Sequence, residues 1–489
     1  MKLPVPLLLF FQAGFSLAFV PTQNVLTQSL QLYASTMEPQ SETIATPNPT
    51  SLKEYNPQEA EVRLESENSR FKCDPSVEMW RDLVSQGNDK DLRDLLRVLR
   101  NGLVTPSLTT PLSRAYYTSS GARTLFFGLN GLLSSVIASN RSGGDMLKAI
   151  ATAFRVLEAV KCYEQELTAI EAGLLNYPWD FPFQADSRGL QWDHKQMNPF
   201  FALSESLALL QEAPSILERR SKFQGKPSGQ VWMSSPPLQQ QSSIQYPKYY
   251  LNDFHYQTDG WLSAASARKY EMSSETIFIG TQDVMQRQTI IPLCKHFDMK
   301  APTNLLEVAC GTGRLSTFVR DHFPSTDVTL TDLSPFYLEK AKENDEYWLQ
   351  YRGRQAMQES TGMAQDPAPV ELMQAAAEQL PFPDNSFEAV TCVYLFHELP
   401  GPVRVKAAKE MARVVKPGGM VVFSDSVQAD DRAALPNLEA FAKFNEPHYP
   451  DYVRNTDLGQ IFEEAGLVCD EKYVNSRTKT LSFIKPLNE

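Results

Sequence analysis

The sequence predicts an α/β fold, an open doubly wound sheet preceded by an all-α region, and three observations predict it. Leu305, Leu306 and Val308 make a short apolar strand that runs into the tight turn Ala309-Cys310-Gly311-Thr312-Gly313. Apolar side chains then recur at 3.6-residue spacing, with Leu315, Phe318, Val319 and His322 on one helical face. A second strand, 327–331, ends at Asp332, just ahead of Ser334-Pro335, which starts another helix. Strand, glycine turn, helix, strand and acid in that order suit a nucleoside. The glycines let the backbone approach the ligand, and the acid accepts bonds from ribose hydroxyls.

At 489 residues the chain is long enough for two domains. A net charge of −12 and a pI near 5.2 argue against a nucleic-acid binder, which needs a basic face. Six scattered cysteines form no C-x-x-C pair, so neither a zinc knuckle nor a disulfide framework is expected. Six dispersed histidines likewise give no metal-ligand spacing.

Taken in order, residues 1–36 read as a presequence. One lysine precedes an apolar run from Leu3 to Ala18 that ends in small residues, as a signal peptidase requires. The run is short for a membrane span and contains Gln12 and two prolines, so cleavage is expected and no stable span in the mature chain. The following Phe19-Val20-Pro21 and the Ser-, Thr- and Gln-rich stretch to Thr36 resemble the bipartite plastid presequences of algae with complex red-derived plastids. Secretion is the alternative destination, and would make Asn140-Arg141-Ser142 a glycosylation acceptor. The lack of a cysteine pattern favours the plastid.

Residues 37–73 read as a disordered linker, rich in Pro, Ser, Glu and Asn. Residues 74–223 read as a helical domain. Leu92, Leu95, Leu96 and Leu99 form one stripe, 122–138 a nearly uncharged buried helix, and Leu147, Ile150, Phe154, Leu157 and Val160 another face, with a further helix over 199–220. Tyr177-Pro178-Trp179-Asp180-Phe181 is expected to pack in the core rather than line a ligand site. Residues 224–243 form an interdomain linker, leaving 244–489 as the catalytic domain.

The turn itself narrows the ligand. A dinucleotide turn needs a third glycine where this chain has Ser316, and Glu307 at the strand's end repels a pyrophosphate. The same carboxylate suits a ligand carrying an ammonium and a sulfonium. The motif resembles the first motif of class I S-adenosylmethionine-dependent methyltransferases, with Ala309 in place of the first glycine. Residues 376–388, Ala-Ala-Glu-Gln-Leu-Pro-Phe-Pro-Asp-Asn-Ser-Phe-Glu, resemble the D-A-x-x-L-P-F-x-D-x-S-F-D signature of the ubiquinone and menaquinone methyltransferase branch. There the opening acid reads adenine, but here its position is Ala376, so Glu378 or the Ala377 backbone is left to serve.

The resemblance implies a Rossmann-like sheet of seven strands with a reversed last strand, and S-adenosylmethionine as cofactor. It further implies a cofactor cradle of Glu307, Ala309, Gly311, Gly313, Asp332, Leu333, Ala377, Glu378 and Tyr394. It also implies a lid before the first strand. There Tyr256, Asp259 and Trp261 suit an acceptor pocket, or else an aromatic latch that merely packs. On the helix 282–295, Arg287 is a candidate for the methionyl carboxylate, with a solvated arginine as the alternative.

Further strands are expected at 370–375, 388–395 and 420–424, with an edge insertion over 352–369. A helix carrying Val405, Ala408, Ala412 and Val415 is expected to stop at Lys416-Pro417-Gly418-Gly419. A short helix over 438–444, an aromatic loop at 448–452 and a helix capped by Thr456 precede a closing hairpin, 468–474 and 478–484. His397 and Glu398 follow a strand whose carboxyl end faces the crevice, which makes them, with Tyr256, the candidate catalytic residues; His397 is the first candidate base, and a structural role at the strand end is its alternative. The expected reaction is methyl transfer to a small-molecule acceptor such as a quinone or other prenyl lipid, a pigment precursor or a small metabolite. A catalytically silent cofactor-binding module and an NAD-dependent oxidoreductase are the alternatives.

Overall fold

The structure, a computed structural model, describes residues 57–87, 108, 110–138, 145–181, 204, 246–251, 260–428, 431 and 448–487. The expected presequence, the stripe Leu92–Leu99, the linker 224–243, Tyr256, Asp259 and the helix over 438–444 lie outside the described residues. So does the helix over 199–220 apart from Ser204.

The first described elements are α1 (Pro57–Arg70), β1 (Lys72–Cys73), α2 (Ser76–Gly87), α3 (Pro111–Ala138) and α4 (Asp145–Glu171). The pocket-side helices α5 (Ala264–Ile277), α6 (Gln282–Arg287) and α7 (Ile290–His296) follow. Next come β2 (Asn304–Val308), α8 (Arg314–His322), β3 (Asp327–Asp332), α9 (Pro335–Trp348), α10 (Arg354–Thr361), β4 (Glu371–Gln374) and β5 (Phe387–Val393). The chain closes with α11 (Gly401–Val414), β6 (Val415–Ser426), α12 (Tyr449–Asn455), α13 (Leu458–Glu464), β7 (Val468–Asn475) and β8 (Thr478–Ile484).

The strands β2 to β8 lie in the order β4-β3-β2-β5-β6-β8-β7. The first five are parallel, and β8 runs antiparallel to both β6 and β7, the expected reversed last strand. Side chains alternate across each strand, so both faces must be covered. Leu306, Val390, Val421 and Phe423 face one core with Met411, Phe462 and Phe483, whereas Leu305, Ala389 and Val422 face the other with Phe318, Ala341 and Trp348. The carboxyl ends of β2, β3, β4 and β5 therefore open on one crevice between two packed layers.

The region expected to be a disordered linker departs from that reading over 57–73. Here α1 is a helix, and β1 adds an eighth strand beside β7, in register Lys72↔Glu471. Two apolar anchors and one carboxylate hold it there. Leu64 and Phe71 are buried, and Phe71 packs edge-on against Phe483 with ring centres 5.5 Å apart. Glu67 pairs with Lys472 Nζ at 2.5 Å and with Lys479 Nζ at 3.0 Å; Asp431 completes the cluster at 2.7 and 3.1 Å. Both lysines are fully buried. No local pattern around Glu67 reveals this, because its partners lie about four hundred residues away in sequence.

The described N-terminal helices share a core with the catalytic fold. Trp80, Tyr116, Tyr163, Leu167 and Phe181 bury together with Val284 of α6 and Val474 of β7. Among the described residues no helix is long and apolar enough to cross a membrane.

Helix α11 ends at Val414, directly before the expected stop at 416–419, and that stretch is itself part of β6, where Gly418 and Gly419 exchange backbone bonds with Lys485. The aromatic loop at 448–452 is the helix α12, and Asp457 rather than Thr456 caps α13, accepting from the Gln460 amide at 2.9 Å. Part of the edge insertion is helical, since a π turn at Leu349–Gly353 carries α9 into α10.

Burial opposes the Glu67 charge, but Lys472 and Lys479 outweigh it and hold the carboxyl below its usual range. A depressed carboxyl contributes stability above its unfolded pKa and loses it as pH falls through the folded one. Glu67→Ala is expected to lower unfolding free energy by about 3–5 kcal/mol in a denaturant titration at neutral pH, because it leaves two buried ammonium groups with one carboxylate. A loss below about 1 kcal/mol contradicts the cluster.

Candidate active site

The crevice is built first by the turn after β2. Ala309, Gly311 and Gly313 all take positive φ, at 55°, 56° and 66°. Gly313 has a second constraint, because a Cβ there would lie 2.9 Å from the Ala341 Cβ on α9. Gly311 faces open space and donates its N–H to Asp332 Oδ2 at 2.9 Å. The other oxygen, Oδ1, accepts from the Ser334 amide at 2.8 Å. The Asp332 carboxylate thus ties the turn to the start of α9 while retaining lone pairs for a ligand.

Two buried carboxyl groups share this corner. Burial pushes the Asp332 carboxyl up to about 6, against the opposing effect of its backbone N–H partners. Burial and the neighbouring Asp332 charge push Glu307 up to about 8. Glu307 Oε2 is buried with no hydrogen-bond partner. Such an atom is costly unless a donor meets it, and a ligand ammonium is a donor of the right sign. The residues therefore fit a nucleoside that carries an ammonium.

Around this corner, Leu333 and Ala375, Ala376 and Ala377 line the side beyond β3 and β4, and Val393, Tyr394 and Leu395 the side beyond β5. Tyr250, Trp261, Tyr270 and Tyr337 supply aromatic walls. Trp261, Tyr270 and Tyr337 meet pairwise edge-to-face at 5.3–5.6 Å. Glu378 does not line the crevice. Its carboxylate accepts the Tyr249 hydroxyl at 2.7 and 2.9 Å, anchoring the segment before α5. Of the two alternatives for adenine, only Ala377 reaches the wall.

Tyr394 also takes positive φ, 54°, and bonds its hydroxyl to Thr478. Just beyond it His397 sits behind the wall and Glu398 on it. Asp425, fully buried at the end of β6, accepts from His397 Nδ1 at 2.5 Å and from the amides of Phe396 and His397 at 2.8 and 3.3 Å. The other ring nitrogen, Nε2, lies 3.5 Å from Glu398 Oε1. Burial disfavours the imidazolium, but Asp425 and Glu398 outweigh it and hold the ring well above the ordinary histidine range. Both ring nitrogens thus face carboxylates, and the ring itself does not line the crevice. Of the two readings of His397, the geometry favours a structural one.

On the pocket side, α6 contributes Gln282, Asp283 and Gln286, and the start of α8 contributes Arg314. Arg314 is held by Asp180 at 2.7 Å and Asp283 at 2.8 Å. Arg287 is neither solvated nor in the crevice. It is buried and bonded to Glu166 and to the Asn176 carbonyl. The structure thus gathers Glu307, Ala309, Gly311, Asp332, Leu333, Ala377, Tyr394 and Glu398 on one cavity wall, with Gly313 and His397 behind it. Tyr256 lies outside the described residues. Sequence reasoning missed Tyr270, Gln282, Gln286, Arg314 and Asp425. Only the i, i+4 spacing of the two glutamines carried a local signal, a shared helical face.

Residues 305–419 match the family described as "Methyltransferase domain". Demethylmenaquinone methyltransferase of Listeria monocytogenes serotype 4b is 31% identical over 186 residues, covering 34% of this chain and 69% of the relative. The enzyme of that name from Staphylococcus aureus strain JH9 is 31% identical over 221 residues, covering 41% of this chain and 81% of the relative. A solved S-adenosylmethionine-dependent methyltransferase from Aquifex aeolicus aligns at 18% identity and a TM-score of 0.32, over 46% of this chain and 98% of its own.

Replacing Asp332 by Asn keeps the volume but removes the charge of the acid expected to meet the ribose. The substitution is expected to weaken S-adenosylmethionine binding by about 1.5–3 kcal/mol in calorimetry. Unaltered affinity places the ribose elsewhere.

Proposed function

From the premise that the chain belongs to the class I S-adenosylmethionine-dependent methyltransferases, we propose that its methyl acceptor is a small hydroxylated aromatic of the quinol class. The observation that carries this reading is the pairing of one carboxylate, Glu398, with the aromatic wall of Trp261, Tyr270 and Tyr394. The relatives named above, which are demethylmenaquinone methyltransferases, support the same class.

When bound, S-adenosylmethionine supplies a methyl group activated by positively charged sulfur. Glu307 offers its unpartnered oxygen to the ammonium of that ligand, and Asp332 its carboxylate to the ribose hydroxyls. Ala377 gives the adenine edge a small wall with backbone donors and acceptors. Tyr250, Trp261, Tyr270 and Tyr337 exclude water, so that the protein's main contribution is to place acceptor and donor in line.

Glu398 is assigned to the acceptor side, where it accepts the hydrogen of a phenolic hydroxyl. His397 is then a positioning residue. Its ring bridges Asp425 and Glu398 and so fixes the orientation of the latter. An oxidoreductase reading is opposed by Glu307 and by Ser316 at the third glycine position.

The test is transfer of labelled methyl from S-adenosylmethionine to a chemically reduced, short-chain naphthoquinol. The product is expected to carry one label, and Glu398→Gln to lower kcat by about 100-fold or more with cofactor affinity retained. Cofactor binding without transfer to any quinol rejects this acceptor class. An unaltered kcat in the variant rejects the role of Glu398.

A further inference from the structure

On the face of α6 that lines the crevice, Gln282 and Gln286 stand one turn apart, and the Oε1 atoms of both are buried with no hydrogen-bond partner. Gln282 is only 5% exposed. Together with Glu307 Oε2, three unsatisfied oxygens line one cavity. Native proteins leave few such atoms, and a group of them in a crevice points to a ligand that supplies the missing partners.

The position of α6 identifies which part of the ligand that is. Asp283 binds Arg314 at the start of α8, so α6 overhangs the glycine turn, at the opposite end of the crevice from Ala375–Ala377. A nucleoside with its base by Ala377 and its ribose at Asp332 directs its 5′ substituent there. In S-adenosylmethionine that substituent ends in an ammonium and a carboxylate. A side-chain amide offers one acceptor and two donors, so a pair of amides meets both charges. Arg314, the guanidinium on this wall, is already held by Asp180 and Asp283.

The N-terminal helices hold α6 in this position. Arg123 of α3 pairs with Glu275 at 3.0 Å, and Glu275 accepts the amides of Gln282 and Asp283, both at 3.3 Å. Tyr163 of α4 donates to the Gly280 carbonyl at 2.5 Å, and Arg155 of α4 to the carbonyl of Ile277. Glu166 of α4 binds Arg287, and Asp180, beyond α4, holds Arg314.

We propose that Gln282 and Gln286 form the amino-acid subsite of the cofactor pocket, and that α3 and α4 are its positioning elements. The proposal rests on the cofactor reading above but needs no acceptor. Calorimetry with S-adenosylhomocysteine and 5′-methylthioadenosine tests it, because only the first carries the amino-acid end. In the full chain the first is expected to bind more tightly. The double variant Gln282→Leu, Gln286→Leu is expected to weaken S-adenosylhomocysteine by about tenfold or more while leaving methylthioadenosine unchanged.

Arg123→Met is expected to give the same selective loss, and Arg123→Lys to restore binding. Equal loss for both nucleosides, or no loss, in the glutamine variant overturns the subsite. The same result in Arg123→Met, with the glutamine variant selective, overturns the role of the helices. A wild-type chain that binds neither nucleoside contradicts the cofactor reading itself, and the subsite with it.

Discussion

Two carboxyl groups buried side by side at the tips of β2 and β3 set the terms for the whole crevice. Glu307 and Asp332 each resist ionisation, through burial and, for Glu307, through its neighbour. Only a fold that fixes both against relaxation keeps such a pair. Here the strands are locked on both faces of the sheet, the turn between them is pinned by Gly311 N–H on Asp332, and Gly313 seats the turn against α9. The electrostatic cost left in the protein becomes selectivity for a ligand of opposite sign.

Elsewhere among the described residues, several buried charges are balanced internally. Lys472 and Lys479 share Glu67 and Asp431, Arg287 meets Glu166, Arg314 meets Asp180 and Asp283, and His397 meets Asp425. Against that background the unpartnered oxygens of Glu307, Gln282 and Gln286 in one cavity acquire meaning. The same networks explain the N-terminal extension. Through Glu67 it clasps the closing hairpin, and through Arg123, Tyr163 and Glu166 it fixes the helices that roof the crevice. Stability and ligand recognition are thereby carried by one set of long-range contacts.

The catalytic sheet was legible because its signals are local. Strand alternation at 305–308, the glycine turn, and the acid at 332 fall within thirty residues, and the closing hairpin showed its own alternation. What escaped was set by distance. Glu67 has no pattern around it that announces lysines on β7 and β8, so α1 and β1 read as linker. Arg287 stands out in the sequence by its charge. A helix turns each residue about 100°, and that rotation sends Arg287 toward α4 while Gln286 faces the cavity. His397 and Glu398 are adjacent in sequence, yet only Glu398 lines the cavity, because the 3-10 turn Phe396–Glu398 rotates successive side chains away from each other. Ala376, the departure from the adenine-reading acid, is not replaced by Glu378, whose carboxylate is spent on Tyr249.

The central claim is that Glu307 must ionise to receive the ligand's ammonium. Calorimetry of S-adenosylmethionine binding near neutral pH, in two buffers of different ionisation enthalpy, measures this directly. A carboxyl held at about 8 in the free protein is largely protonated there, and pairing with a cation lowers its pKa. The account predicts that protons are released on binding and that Glu307→Gln abolishes the release. Binding with no proton exchange, or release unchanged in the variant, would contradict it.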